Sequence, residues 1–415
     1  MAIIKPFRGY RPSPLHAARV ASRPYDVLTS EEARQEAAGN PDSFLHVVKP
    51  EINFPPDQNP YAEEIYQQGR DHFQHLIDRG LFRQDEKPCY YLYRLIWQGR
   101  AQHGIVGAAA VADYERNRIK KHELTRPDKE EDRRQHIRIS GINAEPVYFA
   151  YPGVPELSEL MRLVVQGEAT VNFAADDGVQ HTFWVIDAPP LVQRIERIFA
   201  EQVPTTYVAD GHHRTAAAAG VGLERRQANL AHSGREPYNY FLAVHFPAEE
   251  LRIIDYNRVL RDLNGLSEAD FLAALQARFE VRPWDGPYRP EQRHRFGLYL
   301  SGQWYRLLAR PQTYDDGDAV AGLDVTVLTE QVLRPLLGIE DLRRDQRIDF
   351  VGGIRGLGEL QRRVDSGEMQ AAFALYPVSM PQLMAIADQG KIMPPKTTWF
   401  EPKLRSGLVV YALEE

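Results

Sequence analysis

The stretch Tyr207-Val208-Ala209-Asp210-Gly211-His212-His213-Arg214-Thr215, running on into Ala216–Ala219, places polar residues where a short apolar strand gives way to an alanine-rich helix. Such a junction attracts anions, because the first backbone N–H groups of a helix lack intrahelical partners and its dipole is positive at that end. Gly211 has no Cβ, so it permits a sharp turn and a close approach of phosphate to the backbone. Arg214 offers a planar fork suited to phosphate oxygens, and His212 and His213 add donors that strengthen on protonation. Asp210 is placed to cap the helix or to orient a histidine. An Asp-Gly turn alone would be an ordinary helix start, whereas the contiguous D-G-H-H-R before a run of small residues favours a bound ligand. Zinc is the weaker reading: neighbouring histidines at a helix start point in different directions, and neither H-E-x-x-H nor a cysteine partner is at hand.

Working outward, the periodicity predicts mixed elements in an α+β (mixed α/β) fold rather than a regular βαβ array. Upstream of the box, residues 43–50 read as a strand and 61–79 as a helix stopped by Gly80. Strands follow at 90–97 and 103–111, a charged helix at 128–140 and a strand at 146–151. Residues 168–187 read as a hairpin around Asp176-Asp177-Gly178, and 188–200 as an amphipathic helix. Downstream, strands are expected at 238–246, 296–300, 303–308, 348–352, 370–376 and 407–412. Helices are expected at 267–278, 324–336, 356–366 and 379–388. This divides the chain into an N-terminal α/β segment (1–100), a core carrying the box (101–235) and a C-terminal α/β domain (236–415).

The bulk numbers narrow the function classes. The chain has 415 residues, 43% hydrophobic and 26% charged, the balance of a globular protein too long for one core. Its net charge of −7 argues against bulk nucleic-acid binding. No run of about 20 apolar residues suggests a membrane span, and the N-terminus lacks a signal-peptide pattern, so the cytoplasm is the expected address. Cys89, the only cysteine, lies in the apolar run Pro88–Trp97 and reads as a packed, inert thiol.

The box Ala209–Arg214 resembles the G-x-H-R element of the ParB/sulfiredoxin superfamily, and most closely the D-G-H-H-R-like box of archaeal-type free serine kinases. Over nearly its whole length the chain is similar to the DUF-1015 family. The stretches that carry this are Arg23–Arg34, Gly39–Glu51, Ile119–Arg133, Tyr207–Arg214, Asp255–Val259, Arg347–Leu357 and Met393–Leu408. The resemblance implies a ParB/sulfiredoxin-like nucleotide-binding core in which Gly211, His213 and Arg214 hold phosphate. It puts His212 where sulfiredoxin has its catalytic cysteine, which excludes sulfinic acid repair here. It also implies that Glu123, next to His122 upstream of the box, accepts the proton of a substrate hydroxyl.

On this reading the catalytic candidates are Glu123, Asp210 and His212. Asp26, His46, His122, Arg126, Lys396, Lys403 and Arg405 are substrate or lid candidates. The last three are spaced by prolines, which present charge at low entropic cost. Within 128–134 the charges read as solvated i,i+4 pairs. Gly352, Gly353 and Gly356 match neither a dinucleotide nor a P-loop pattern and read as packing glycines. The leading function is a free L-serine kinase using ATP or ADP with Mg²⁺ and giving O-phosphoserine, since phosphoryl transfer asks mainly for positioning, a base and positive charge. The alternatives are phosphoserine dephosphorylation or reverse transfer at the same site, and a non-catalytic nucleotide-binding regulator related to ParB.

Overall fold

The structure, a computed structural model, describes residues 1–414 and forms two compact units, Met1–Leu251 with Pro402–Glu415, and Arg252–Glu401. The segments expected at 1–100 and 101–235 share one unit, because strands from both belong to a single sheet.

That sheet comprises nine strands among the described residues: β1 (Ile4–Lys5), β2 (Tyr90–Trp97), β3 (Arg100–Ala110), β4 (Ile119–Lys120), β5 (Val147–Tyr151), β6 (Val171–Ala174), β7 (Gln180–Ile186), β8 (Thr206–Asp210) and β9 (Tyr240–Pro247). Its order is β4-β8-β5-β9-β3-β2-β7-β6, with β1 added alongside β3. Most neighbours are antiparallel, but β8 runs parallel to β4, and β9 parallel to β5. Both faces of β2 are covered over Tyr90–Tyr93, which explains the apolar run there. Tyr90 and Leu92 face a core shared with Leu157, Leu160, Ile195 and Phe199. These come from two helices, α3 (Pro155–Val164) and α4 (Pro189–Gln202). Tyr91 stacks on Phe183 at 5.3 Å, and the Tyr93 hydroxyl lies 2.7 Å from His181 Nδ1.

Three further helices shape the functional side of this unit: α1 (Glu63–Asp78), α2 (Pro127–Ser140) and α5 (His212–Ala228). The small-residue stripe of α5 serves close packing, for a Cβ on Gly222 would lie 2.4 Å from the Tyr238 carbonyl oxygen. Arg134 and Arg138 of α2 both bind Glu224 of α5.

Residues 45–48, expected as a strand, form a helical turn followed by a 3₁₀ turn at Pro50–Asn53. Leu45, Val47 and Val48 are all buried with Phe44, Phe73 and Phe82, and a short apolar run buried all round carries no period to separate strand from helix. The reading of 128–134 as i,i+4 pairs holds for Glu130–Arg134, partly exposed at 2.6 Å, but not for Asp132 and Arg133, which are buried. The strand expected at 407–412 shrinks to Tyr411–Ala412, paired with Ile142–Asn143. Cys89 is buried beside the Lys87 carbonyl, and burial pushes its thiol up to about 11, so it is inert. No helix among the described residues is long and apolar enough to cross a membrane.

The second unit holds a six-stranded antiparallel sheet, ordered 279–284, 303–309, 295–300, 371–375, 256–260 and 348–352. The strands at 256–260 and 279–284 had no clear signal in the sequence. Gly352 and Gly353 make room for Trp399 and Asp255, which is a packing role.

Three buried histidines of the first unit give its stability a pH dependence. Burial holds His136 at about 4, His245 at about 4 and His181 at about 3. All three lie below the unfolded value of about 6.5, so the unfolded chain takes up protons that the native state refuses. Stability therefore falls as pH drops from about 6.5 toward 4, by about 1.4 kcal/mol per pH unit for each group in that window. His136 Nε2 donates to the Val47 carbonyl at 2.8 Å, so His136→Gln keeps a donor and removes a titration. Urea midpoints measured across this range should fall less steeply for His136→Gln, and identical slopes would contradict the assignment.

Candidate functional site

Parallel pairing of β4 with β8 brings the site together. Thr206 pairs with Ile119 and Tyr207 with Lys120, so the residues after both strands leave the sheet at the same edge. His122 and Glu123 follow β4, and Gly211 and His212 follow β8, although some ninety residues separate them in sequence. Gly211 makes the turn at φ +91°, in the left-handed region that glycine tolerates. As N-cap of α5 it supplies no capping side chain of its own.

The rings of His122 and His212 meet edge to face at 4.4 Å between centroids and 88°. One ligating atom from each of His122, Glu123 and His212 lies within 4.8 Å of the other two. Both imidazoles are buried, and both are held neutral at physiological pH. Burial brings His122 down to about 4, against the pull of Asp210 and of its bond to the Val208 backbone. His212 is pushed well below the ordinary histidine value by burial, then by His122, His213 and Lys121. Glu123 is half-buried beside them.

His213 takes a different part from the cationic donor expected. Its Nε2 accepts the backbone N–H of Arg126 at 3.0 Å, which ties the start of α2 to the start of α5 and requires that nitrogen to be unprotonated. The Arg126 side chain is turned to Asp128.

Arg214 is turned inward. Its side chain is only 7% exposed, with Nη1 donating to the Pro146 carbonyl at 2.9 Å and Nη2 to Asp210 at 3.2 Å and Asp26 at 3.4 Å. In this arrangement the guanidinium is engaged by the protein's own acceptors. Burial works against its charge, and Asp26, Glu145 and Asp210 together outweigh burial and raise its pKa. Gly211 permits this fold-back, because a Cβ there would lie 3.1 Å from Arg214 Nε. One Asp210 oxygen takes Arg214, and the other faces Lys403 Nζ at 3.3 Å.

Behind Arg214 lies a charged layer that sequence reading missed. Glu145 is buried, accepting from the Tyr25 N–H at 3.0 Å and from the Ser406 hydroxyl at 3.2 Å. Arg133 lies 3.7 Å from Glu145, pairs with Asp132 at 2.9 Å and sits 4.0 Å over the Tyr25 ring. A cavity of about 30 Å³ lies between Arg133, Glu145 and Arg214, room for about one water. The available signal was Glu145 itself, one acid in the otherwise uncharged run Ile142–Tyr151.

Of the remaining candidates, Asp26 and Lys403 reach the box, as described. Arg405 is buried, with Nη2 on Asp177 of the β6–β7 turn at 2.5 Å and its N–H donating to Tyr93. His46 contacts Asn53, Asn40 and the His72 ring, none of them box residues. Lys396 belongs to the second unit, 5.8 Å over the Tyr256 ring.

A family model described as "Protein of unknown function (DUF1015)" matches residues 4–326. The chain belongs to the DUF1015 family. No curated protein matches it. Among solved structures it is similar to a free serine kinase in complex with AMP, at 15% identity over 68% of this chain and 84% of that one, with a TM-score of 0.34. A conserved hypothetical protein from Pyrococcus furiosus matches at 14% identity, 68% and 87% coverage and a TM-score of 0.31. SbnI with a C-terminal truncation, from Staphylococcus aureus, matches at 11%, 72% and 85%, and 0.32. The chemistry of this DUF1015 site rests on its own geometry.

Removing Arg214 leaves Glu145 buried beside a single arginine and strips Asp26 and Asp210 of a partner. Arg214→Ala should cost about 3–5 kcal/mol of folding stability, the range for breaking a buried pair. Arg214→Lys should recover only part, since one ammonium cannot reach three acceptors in a plane. An unchanged denaturation midpoint in Arg214→Ala would contradict the buried role.

Proposed function

We propose that the first unit of this DUF1015 protein binds an adenine nucleotide and transfers a phosphoryl group to a small hydroxylated metabolite, with free L-serine as acceptor and O-phosphoserine as product. The observation that supports this reading is the convergence of the Glu123 carboxylate on His212 at the start of α5. Donor phosphates lie over the backbone N–H groups at the Gly211 turn, where the helix dipole favours negative charge. Arg214 holds that turn rigid from below, through Asp210 and the Pro146 carbonyl. Lys403, on Asp210, adds positive charge from the C-terminal segment.

Glu123 takes the proton of the acceptor hydroxyl as the hydroxyl oxygen bonds to the donor's terminal phosphorus, while the bond from that phosphorus to its bridging oxygen breaks and the shortened nucleotide leaves. A ligating oxygen of Glu123 lies within 4.8 Å of a ring nitrogen of His122 and of His212, both held neutral by burial. Asp26 and Asp210, the partly exposed carboxylates beside Arg214, would hold Mg²⁺, which nucleotide phosphoryl transfer uses and which would neutralise charge on the donor phosphates. By microscopic reversibility the same groups serve the reverse transfer.

The test is turnover of purified protein with Mg²⁺, ATP or ADP, and free amino acids, read as phosphorylated product. Glu123→Gln keeps the shape and removes the proton acceptor. It should lower turnover by about 10²–10⁴-fold, the typical contribution of a positioned base, while nucleotide affinity stays near that of the wild type. No phosphorylated amino acid under any donor, or equal loss of turnover and nucleotide binding in Glu123→Gln, would overturn the assignment.

A further inference from the structure

We propose that His122, Glu123 and His212 form a binding site for a divalent transition ion of the Zn²⁺, Mn²⁺ or Co²⁺ type, distinct from the Mg²⁺ that accompanies a nucleotide. The three residues offer two imidazole nitrogens and one carboxylate oxygen, all within 4.8 Å of one another. Metal–ligand bonds of about 2.0–2.2 Å set neighbouring donors about 3.3–3.5 Å apart, so small side-chain rotations complete the shell. An independent observation points to the same place. His212 is only 6% exposed, yet its Nε2 is buried without a hydrogen-bond partner. Leaving a ring nitrogen in that state is costly, and a bound cation relieves the cost.

The support around the ligands also suits a metal. His122 is hydrogen-bonded to the Val208 backbone, the kind of outer contact that fixes the tautomer and orientation of a ligating imidazole. The adjacent pair His212-His213 is not the ligand pair, because His213 Nε2 is committed to the Arg126 N–H. The second imidazole comes instead from the β4 end, which the parallel pairing with β8 delivers to the same edge. Two nitrogens and one oxygen select a borderline transition ion over Mg²⁺ or Ca²⁺, which prefer oxygen donors. Three protein ligands leave at least one position open on the ion. The dipole of α5 and Lys121 oppose a cation here, and the Glu123 charge with nearby Asp210 offsets them.

The inference stands apart from the phosphoryl-transfer reading, because ion binding is measured without nucleotide or acceptor. It also makes a link: an ion held by Glu123 withdraws that carboxylate from a hydroxyl, so occupancy of this site suppresses transfer.

The experiment uses full-length protein stripped with a chelator and titrated with Zn²⁺ in excess Mg²⁺ by calorimetry, and with Co²⁺ by visible absorption. Wild type should bind one tight equivalent that Mg²⁺ does not displace, with the Co²⁺ spectrum of a four- or five-coordinate ion. Glu123→Gln and His212→Gln should each weaken Zn²⁺ binding by more than the roughly 10–100-fold that loss of a supporting contact costs. Circular dichroism of the metal-free variants confirms that each is folded, and Zn²⁺ should raise the melting temperature of wild type alone. Absence of a tight equivalent in wild type would overturn the proposal. So would tight binding that survives in both folded variants and disappears instead in His46→Gln with His72→Gln, the other close imidazole pair, whose rings lie 5.0 Å apart.

Discussion

The first unit is organised around one buried cation. Arg214 sits in the first turn of α5 with its guanidinium folded under Gly211, reaching the Pro146 carbonyl, Asp210 and Asp26 at once. Behind it, Glu145 and Arg133 extend the alternation of charge to the Tyr25 backbone, the Ser406 hydroxyl and the Val48 carbonyl. A planar, permanently charged group with five donors suits this position, because an uncompensated buried charge is expensive and each acceptor needs a defined direction. The sequence segments that carry the family resemblance, 23–34, 39–51, 119–133 and 207–214, meet in this layer. Tyr25, Asp26, Val48, Arg133, Asp210 and Arg214 from these segments thus have a structural part in the layer.

This changes what the D-G-H-H-R box does physically. Reading the box from sequence made Gly211, His213 and Arg214 the phosphate contacts. In the fold, Arg214 and Asp210 support the turn, His213 ties it to α2, and His212 faces His122. What remains to meet an anion is the backbone of the turn and the helix dipole, which need no side chain at all. Rigidity is the gain: donors that are held in place before a ligand arrives lose little entropy when it binds.

Much of this was legible in the sequence, and the gaps have physical reasons. The strand at 206–210, the turn and the helix after it were readable because an apolar run, a glycine and an alanine stretch follow one another without ambiguity. Strand β2 and the hairpin of β6 and β7 were equally clear from their residues. The helical turn at 45–48 was not, since a short segment buried on all sides shows no period. The meeting of Glu123 with His212 depends on the parallel pairing of β4, two residues long, with β8, and nothing local announces a strand that short. The inward direction of Arg214 was not legible either, because a side chain's direction at a helix start is decided by the acceptors around it. Those acceptors, Pro146 and Asp26, lie 68 and 188 residues away.

The central claim is that the start of α5 and Glu123 form one site for a nucleotide and its acceptor. A crystal structure of the protein soaked with ADP and Mg²⁺ tests this most directly. The account predicts density for the phosphates over the backbone of Gly211–Arg214, on the side of the turn where Glu123 stands, with Arg214 still folded inward on Pro146 and Asp210. A nucleotide bound elsewhere, with the Gly211 turn empty, would contradict it.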